Sequence, residues 1–187
     1  STRSTSRFRG ARELQFRHAL VREAAYSMLT AEDRELGHRL CASWLAAQGE
    51  HEPLRLAEHH QQGGEPERAL PYYAAAAEQA LAANDFDGVL RSAELAIGCG
   101  AEGSMGGELR ALEAEAYNWR GQFSDAERVA EEAMRHLPPD HASWSVGAAE
   151  LGLALGVRGQ GPRLAKLGRT IRDVAAVNAI VEQRCAM

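Results

Sequence analysis

Apolar residues recur three or four positions apart through most of this chain, which is the spacing of one face of an α-helix. One helix illustrates the pattern, because Thr30 is followed by an acid three positions later, as at a helix N-cap, and then by Leu36, Leu40 and Trp44. Valine and isoleucine are sparse and also fall at helical spacing, so no segment reads as a strand. The pattern predicts an all-α chain.

Proline, glycine and asparagine divide the predicted helices. We expect helices over residues 18–29, 31–48, 54–62, 66–83, 86–97, in two segments after 107, and over 163–181. Residues 1–13 are polar and arginine-rich, which predicts a linker or disordered tail. A glycine-rich break at 98–107 separates a helical segment over 14–99 from a second one over 107–187.

A 34-residue period is clearest over residues 107–140. Its small and aromatic residues at repeat positions 8, 11, 15, 17, 20, 27 and 32 are Ala114, Tyr117, Gly121, Phe123, Ala126, Ala133 and Pro138. This spacing resembles the tetratricopeptide repeat (TPR), in which two antiparallel helices approach at alanines. The resemblance implies a TPR-like α-α superhelix, a right-handed solenoid of antiparallel helix pairs that bury their faces only against neighbours.

The same spacing returns earlier, with irregular register. Repeat positions 8, 15, 20, 24 and 27 are then Ala57, Gly64, Ala69, Tyr73 and Ala76. The helix over 66–83 would close one pair and open the next. The best copy departs from the TPR pattern at positions 4 and 7, where Arg110 and Glu113 replace large apolar residues, and a degenerate copy begins at residue 141.

Composition narrows the class of protein. The chain has 187 residues, is 45% hydrophobic and carries a net charge of −5. No apolar run approaches the ~20 residues that span a bilayer, and no signal peptide precedes the first helix. Three distant cysteines, an odd number, argue against a disulfide framework and fit a reducing cytoplasm. The missing initiator Met suggests a piece of a longer cytoplasmic protein, and neither membrane nor nucleic acid is an expected partner, despite the six arginines within residues 1–22.

Catalytic motifs receive little support. Residues 98–103 match G-x-G-x-x-G, but a predicted helix precedes them where phosphate binding requires a strand, so we expect a helix cap and a joint. His59 and His60 would project about 100° apart and cannot share a metal, and the chain lacks Walker A, G-x-S-x-G and C-x-x-C motifs. We expect no catalytic residues, no cofactor and no metal. The alternative is part of a kinase or ATPase region that binds a nucleotide.

Repeat position 9 is the candidate binding position, because in TPR arrays it faces the concave groove. It holds Glu58, Glu78 and Glu115, and Asn118 and Trp119 follow on the same helix as Glu115. An acidic stripe would receive a basic protein or peptide. The alternative is that glutamate is simply a good former of exposed helix.

A second resemblance rests on a segment near the start of the helical region. The residues that carry it are Phe16, His18, Leu20, Arg22, Glu23, Tyr26 and Leu29, followed by Arg34, His38, Ala42, Leu56, Ala57 and His59. The segment resembles the junction after the ATPase module of bacterial STAND-type signalling proteins, where the ATPase is joined to a Ser/Thr protein kinase, a nucleotide cyclase or a LuxR-type DNA-binding domain. The resemblance implies a regulatory scaffold segment that contacts a protein partner or another domain of its own chain. We expect Phe16, Leu20 and Tyr26 to pack, with Arg22 and Glu23 reaching an adjoining domain.

Overall fold

A computed structural model describes residues 2–3, 8, 13–14 and 16–185, with side chains for residue 8 and residues 16–175. Two strands of two residues each, β1 (Thr2–Arg3) and β2 (Glu13–Leu14), pair antiparallel. This short pairing was not predicted. The rest of the predicted tail over residues 1–13, apart from residue 8, lies outside the described residues.

Nine helices make up the remaining regular structure of the described chain, which confirms the all-α prediction. They are α1 (Ala19–Ser27), α2 (Ala31–Ala47), α3 (Pro53–Gln62), α4 (Pro66–Ala82), α5 (Phe86–Gly98), α6 (Gly103–Trp119), α7 (Phe123–His136), α8 (Ala142–Val157) and α9 (Gly161–Cys185). In the described part of the chain, we find none that combines the length and the apolar character needed to cross a bilayer.

The helix ends follow from residues that the sequence marks. Thr30 caps α2 by accepting a hydrogen bond from the backbone N–H of Asp33 at 3.1 Å, and Asp85 caps α5 in the same way. Pro53 is the first residue of α3. The predicted start at residue 107 is wrong, since α6 begins at Gly103, so the glycine-rich break is shorter than expected.

The chain divides into two compact units, Ser1–Ala69 and Leu70–Met187, and the division falls within α4. In the N-terminal unit α2 packs against α3, where Ala42, Leu45, Leu56 and Ala57 are buried. The apolar residues Leu36, Leu40 and Trp44 of the predicted α2 stripe are exposed instead.

The segment over residues 16–29, which carries the second resemblance, is less buried than predicted. The side chains of Phe16 and Leu20 are 55% and 78% exposed, and that of Tyr26 is 43% exposed. Helix α1 has no buried residue at all. The expectation is therefore wrong for Phe16 and Leu20, whereas the Tyr26 ring makes an edge contact with the His38 ring, with centroids 6.0 Å apart.

The core of the C-terminal unit lies between α6, α7, α8 and α9. Small residues let these helices approach, since a methyl group added at Gly147 would lie 3.3 Å from the Cβ of Ala133. The buried members of this core are Ala111, Ala114, Val129, Ala130, Ala133, Leu137, Trp144, Ala148, Leu151, Leu155 and Leu167.

The residues at predicted repeat positions fall into three groups. Buried residues are Ala57, Ala69, Tyr73, Ala76, Ala114, Ala126 and Ala133, half-buried ones are Tyr117 and Phe123, and exposed ones are Gly64, Gly121 and Pro138. Gly64 and Gly121 have φ of +73° and +72°, a backbone conformation that follows a helix end and favours glycine.

A buried ion pair explains the polar residues at repeat positions 4 and 7. Arg110 Nη1 donates to Glu113 Oε2 at 2.6 Å, and Arg110 Nε lies 3.1 Å from Glu132 Oε2 on α7. Burial raises the pKa of the Glu113 carboxyl, and the hydrogen bond from Arg110 opposes that rise. The ion pair therefore joins α6 to α7 at positions where the TPR pattern predicts large apolar residues.

Candidate partner-binding surface

The three predicted glutamates do not all belong to one unit. Glu58 is exposed on α3 of the N-terminal unit, whereas Glu78 is exposed on α4, and Glu115 is half-buried on α6, both in the C-terminal unit. The stripe across all three stays a prediction. Of the three glutamates, Glu115 is the one that lies near other predicted site residues, Asn118 and Trp119.

Helix α8 brings a second carboxylate to Glu115. Asn118, one turn after Glu115, is only 7% exposed, and its Nδ2 donates to the backbone oxygen of Glu150 at 3.0 Å and to its Oε2 at 2.7 Å. Burial raises the pKa of the Glu150 carboxyl, the bond from Asn118 lowers it, and the charge of Glu115 raises it again. Two acidic side chains therefore repel each other across the contact between α6 and α8.

The other amide atom of Asn118 lacks a partner. Its Oδ1 is buried and accepts no hydrogen bond from the described residues. A buried acceptor left unpaired has a free-energy cost of about 1–3 kcal/mol.

An exposed aromatic pair adjoins the two acids. The Trp119 indole stacks on the Phe86 ring with centroids 6.1 Å apart and planes 7° apart, and Trp119 is still 68% exposed. An ion pair between Arg120 and Asp87 joins the same two helices, α6 and α5. Trp119 follows Glu115 by four residues, so the two side chains are neighbours on one face of α6. One face of the indole is therefore open next to Glu115.

Apolar side chains flank Glu150 on α8. Val146, Leu153 and Val157 lie four residues before and three and seven residues after it, so all four share one face of the helix. The three apolar side chains are 38%, 51% and 56% exposed. We call the surface formed by Glu115, Asn118, Trp119, Val146, Glu150 and Leu153 the α6–α8 face.

Within the described part of the chain, Glu115 and Glu150 differ from the other glutamates of α6, α7 and α8 in having no ion-pair partner. Five neighbouring glutamates pair with arginine or histidine: Glu108 with His141, Glu113 and Glu132 with Arg110, and Glu127 and Glu131 with Arg163. No such pair engages Glu115 or Glu150 among the described residues. The α6–α8 face therefore carries negative charge that no ion pair among the described residues neutralises.

Sequence reasoning predicted Glu115, Asn118 and Trp119 as site residues and missed Glu150. Glu150 occupies position 10 of the degenerate copy that begins at residue 141, which the TPR pattern does not mark as a groove position. Only the packing of α8 beside α6 brings it to Asn118. The stacking of consecutive repeats was the signal that could have suggested this neighbour.

The glycine-rich segment joins two helices, with α5 before it and α6 after it. Next to it lies a cleft of about 340 Å³ lined by Ile97, Ala101, Glu102, Gly103, Gly106, Arg110, Glu132 and His136. Arg110 is already bound to Glu113 and Glu132. The described lining of this cleft thus offers a phosphate no unpaired arginine or lysine.

The N-terminal unit holds a series of polar contacts that joins Tyr26, His38, His59 and Cys41. The Tyr26 hydroxyl lies 2.9 Å from Nε2 of His38, whose Nδ1 lies 2.8 Å from Nδ1 of His59. On the opposite side of its ring, His59 Nε2 lies 3.4 Å from the Cys41 sulfur. Burial lowers the pKa of both histidines and raises that of the Cys41 thiol. The contacts surround no common point, and the described residues include no group of three or more side chains able to hold a metal.

His60 has a separate role in the same unit. It is 4% exposed, and its Nδ1 lies 2.9 Å from Glu65 Oε2. His59 and His60 therefore contact different partners, consistent with their expected divergence along α3.

Comparison of the chain with protein-family models, with curated proteins and with solved structures finds no match. The fold class consequently rests on the helices and their packing. The resemblance to TPR and to STAND-associated segments stays a prediction from the sequence.

Proposed function

We propose that this chain is a non-catalytic, protein-binding segment of a larger signalling protein, and that its α6–α8 face receives a basic segment of a protein partner or of another domain of the same parent chain. The observation that carries the proposal is the pair Glu115 and Glu150, which have no ion-pair partner among the described residues, whereas Glu113 on α6 pairs with Arg110 and Glu108 with His141. A TPR-like right-handed superhelix, the STAND-type context and a cytoplasmic location belong to the same proposal.

Two contributions would drive binding. A cationic side chain between Glu115 and Glu150 would relieve their repulsion, and this contribution weakens with salt because exposed charges are screened beyond about 8–10 Å at 0.1–0.15 M. Burial of Trp119 and Leu153 against the partner would add a hydrophobic contribution of about 25 cal/mol per Å² of apolar surface. Charge thus sets which partner binds, and the apolar side chains hold it.

The test is a selection of peptides from a displayed random library against the 187-residue chain, followed by fluorescence anisotropy of the enriched peptides at low and high salt. We expect enrichment of arginine and lysine beside apolar residues. The double variant Glu115→Gln/Glu150→Gln should weaken binding about tenfold or more. Glu94→Gln, at an exposed glutamate of α5, is the control for a change of net charge. Enriched peptides without basic residues, or affinities indifferent to the double variant, would refute the proposal.

A further inference from the structure

The acidic pair and the open indole face lie together on the α6–α8 face, and both suit the same chemical group. Helical side chains lean toward the N-terminus of their helix, so Trp119 covers the turn that carries Glu115. Asn118, between them in sequence, fixes Glu150 through two hydrogen bonds. Glu150 and the Trp119 indole are therefore held in place before any partner arrives.

We propose that this cluster recognises arginine in preference to lysine in the bound segment, an inference that rests on the proposed function. The guanidinium would lie between the carboxylates of Glu115 and Glu150, with its plane against the open face of Trp119.

Donor count and shape favour arginine. A guanidinium presents five N–H donors in a plane, enough to bind two carboxylates at once, whereas an ammonium presents three donors around a point. The planar group also stacks on an indole face. The face of Trp119 opposite Phe86 is open to it, because the side chain is 68% exposed despite the stack.

The experiment uses three peptides, acetyl-Gly-Xaa-Gly-amide with arginine, lysine or citrulline as Xaa. Citrulline keeps the planar shape and lacks the charge. Binding is followed by NMR titration of the ¹⁵N-labelled chain at the indole N–H of Trp119, assigned through the Trp119→Phe variant. We expect the arginine peptide to bind at least about fivefold more tightly than the lysine peptide and the citrulline peptide to bind more weakly than either.

Two variants separate the contributions. Trp119→Leu keeps both carboxylates and should bring the arginine-to-lysine affinity ratio close to one, read from the backbone amide of Glu115. Glu150→Gln should weaken both cationic peptides, and Glu94→Gln should change neither. Helical circular dichroism spectra that match the parent confirm that each variant is folded.

The outcomes distinguish this inference from the proposed function. Equal affinities for arginine and lysine, both dependent on Glu115 and Glu150, would overturn the arginine preference and leave a basic docking surface. A library selection without basic binders would remove the proposed function itself. Displacement of the arginine peptide by micromolar Ca²⁺ would assign the two carboxylates to a metal site and overturn the inference.

Discussion

Replacing Gly107 by alanine is predicted to destabilise the C-terminal unit although alanine is the better helix former. Gly107 lies within α6, and an added methyl carbon would lie 2.6 Å from Cγ of Leu137 and 3.2 Å from Cβ of His136. Carbon atoms pack best at about 3.5–4.0 Å, so the overlap with Leu137 is close to 1 Å. Leu137 is 3% exposed, so its side chain is enclosed by other atoms of the protein.

Two opposing effects set the size of the change. Alanine in place of glycine inside a helix stabilises by about 1 kcal/mol. Overpacking a filled core costs about 1–3 kcal/mol, and the upper part of that range applies because Cγ is a branching carbon and Cβ of His136 is fixed by the backbone. We expect a net loss of about 1–2 kcal/mol in the free energy of unfolding.

Urea denaturation followed by circular dichroism at 222 nm measures this loss as a lower midpoint with an unchanged m-value. Gly156→Ala is the matched control, because nothing lies within 4 Å of its added methyl group, and it should stabilise by about 0.5–1 kcal/mol. In a Leu137→Ala background, Gly107→Ala should lose its penalty. A stabilising Gly107→Ala, equal to the control, would refute the close approach of α6 and α7.

Three further outcomes are expected in urea titrations. The free energy of unfolding should fall as the pH drops from about 7.5 to 5.5. The pKa values of His38 and His59 are lowered in the folded state, so below about pH 6.5 the unfolded chain binds more protons than the folded chain. Replacing both histidines by asparagine should flatten this dependence. Arg110→Met should destabilise by about 1–3 kcal/mol because buried Glu113 loses its cation. That penalty should shrink as the pH is lowered, because burial raises the pKa of the Glu113 carboxyl and so favours its uptake of a proton. Ala126→Phe should cost about 1–3 kcal/mol or more, because Ala126 is fully buried, and parental stability would argue against the repeat register.

Local signals made most of the helices predictable. Thr30, Pro53 and Asp85 lie at helix starts because their side chains or rings favour those positions whatever surrounds them. The same holds for the glycines that follow α3 and α6, where φ is positive. Helix ends of this kind need no tertiary information.

Long-range contacts were not predictable in the same way. Glu150 acquires its importance only when α8 packs beside α6, thirty-two residues from Asn118. The exposure of Leu20 and Leu36 also depends on what packs over them, and helical periodicity alone reports only which side of the helix is apolar. The polar pair Arg110 and Glu113 departed from the repeat pattern, and its partner Glu132 on α7 explains why.

The attachment of α9 has a consequence for local opening. Over residues 161–175, Leu167 is its one buried side chain in the described structure, and Leu164 and Ile171 are more than a third exposed. Polar contacts near its start hold it instead. The Glu127 carboxylate forms ion pairs with Arg158 and Arg163 and accepts a hydrogen bond from Gln160 Nε2 at 3.2 Å. Helices with few buried apolar contacts open at a lower free energy than the core. Amide protons over residues 161–175 should therefore exchange with solvent before those of α6 and α7, and added salt should accelerate that exchange by weakening the ion pairs at the start of α9.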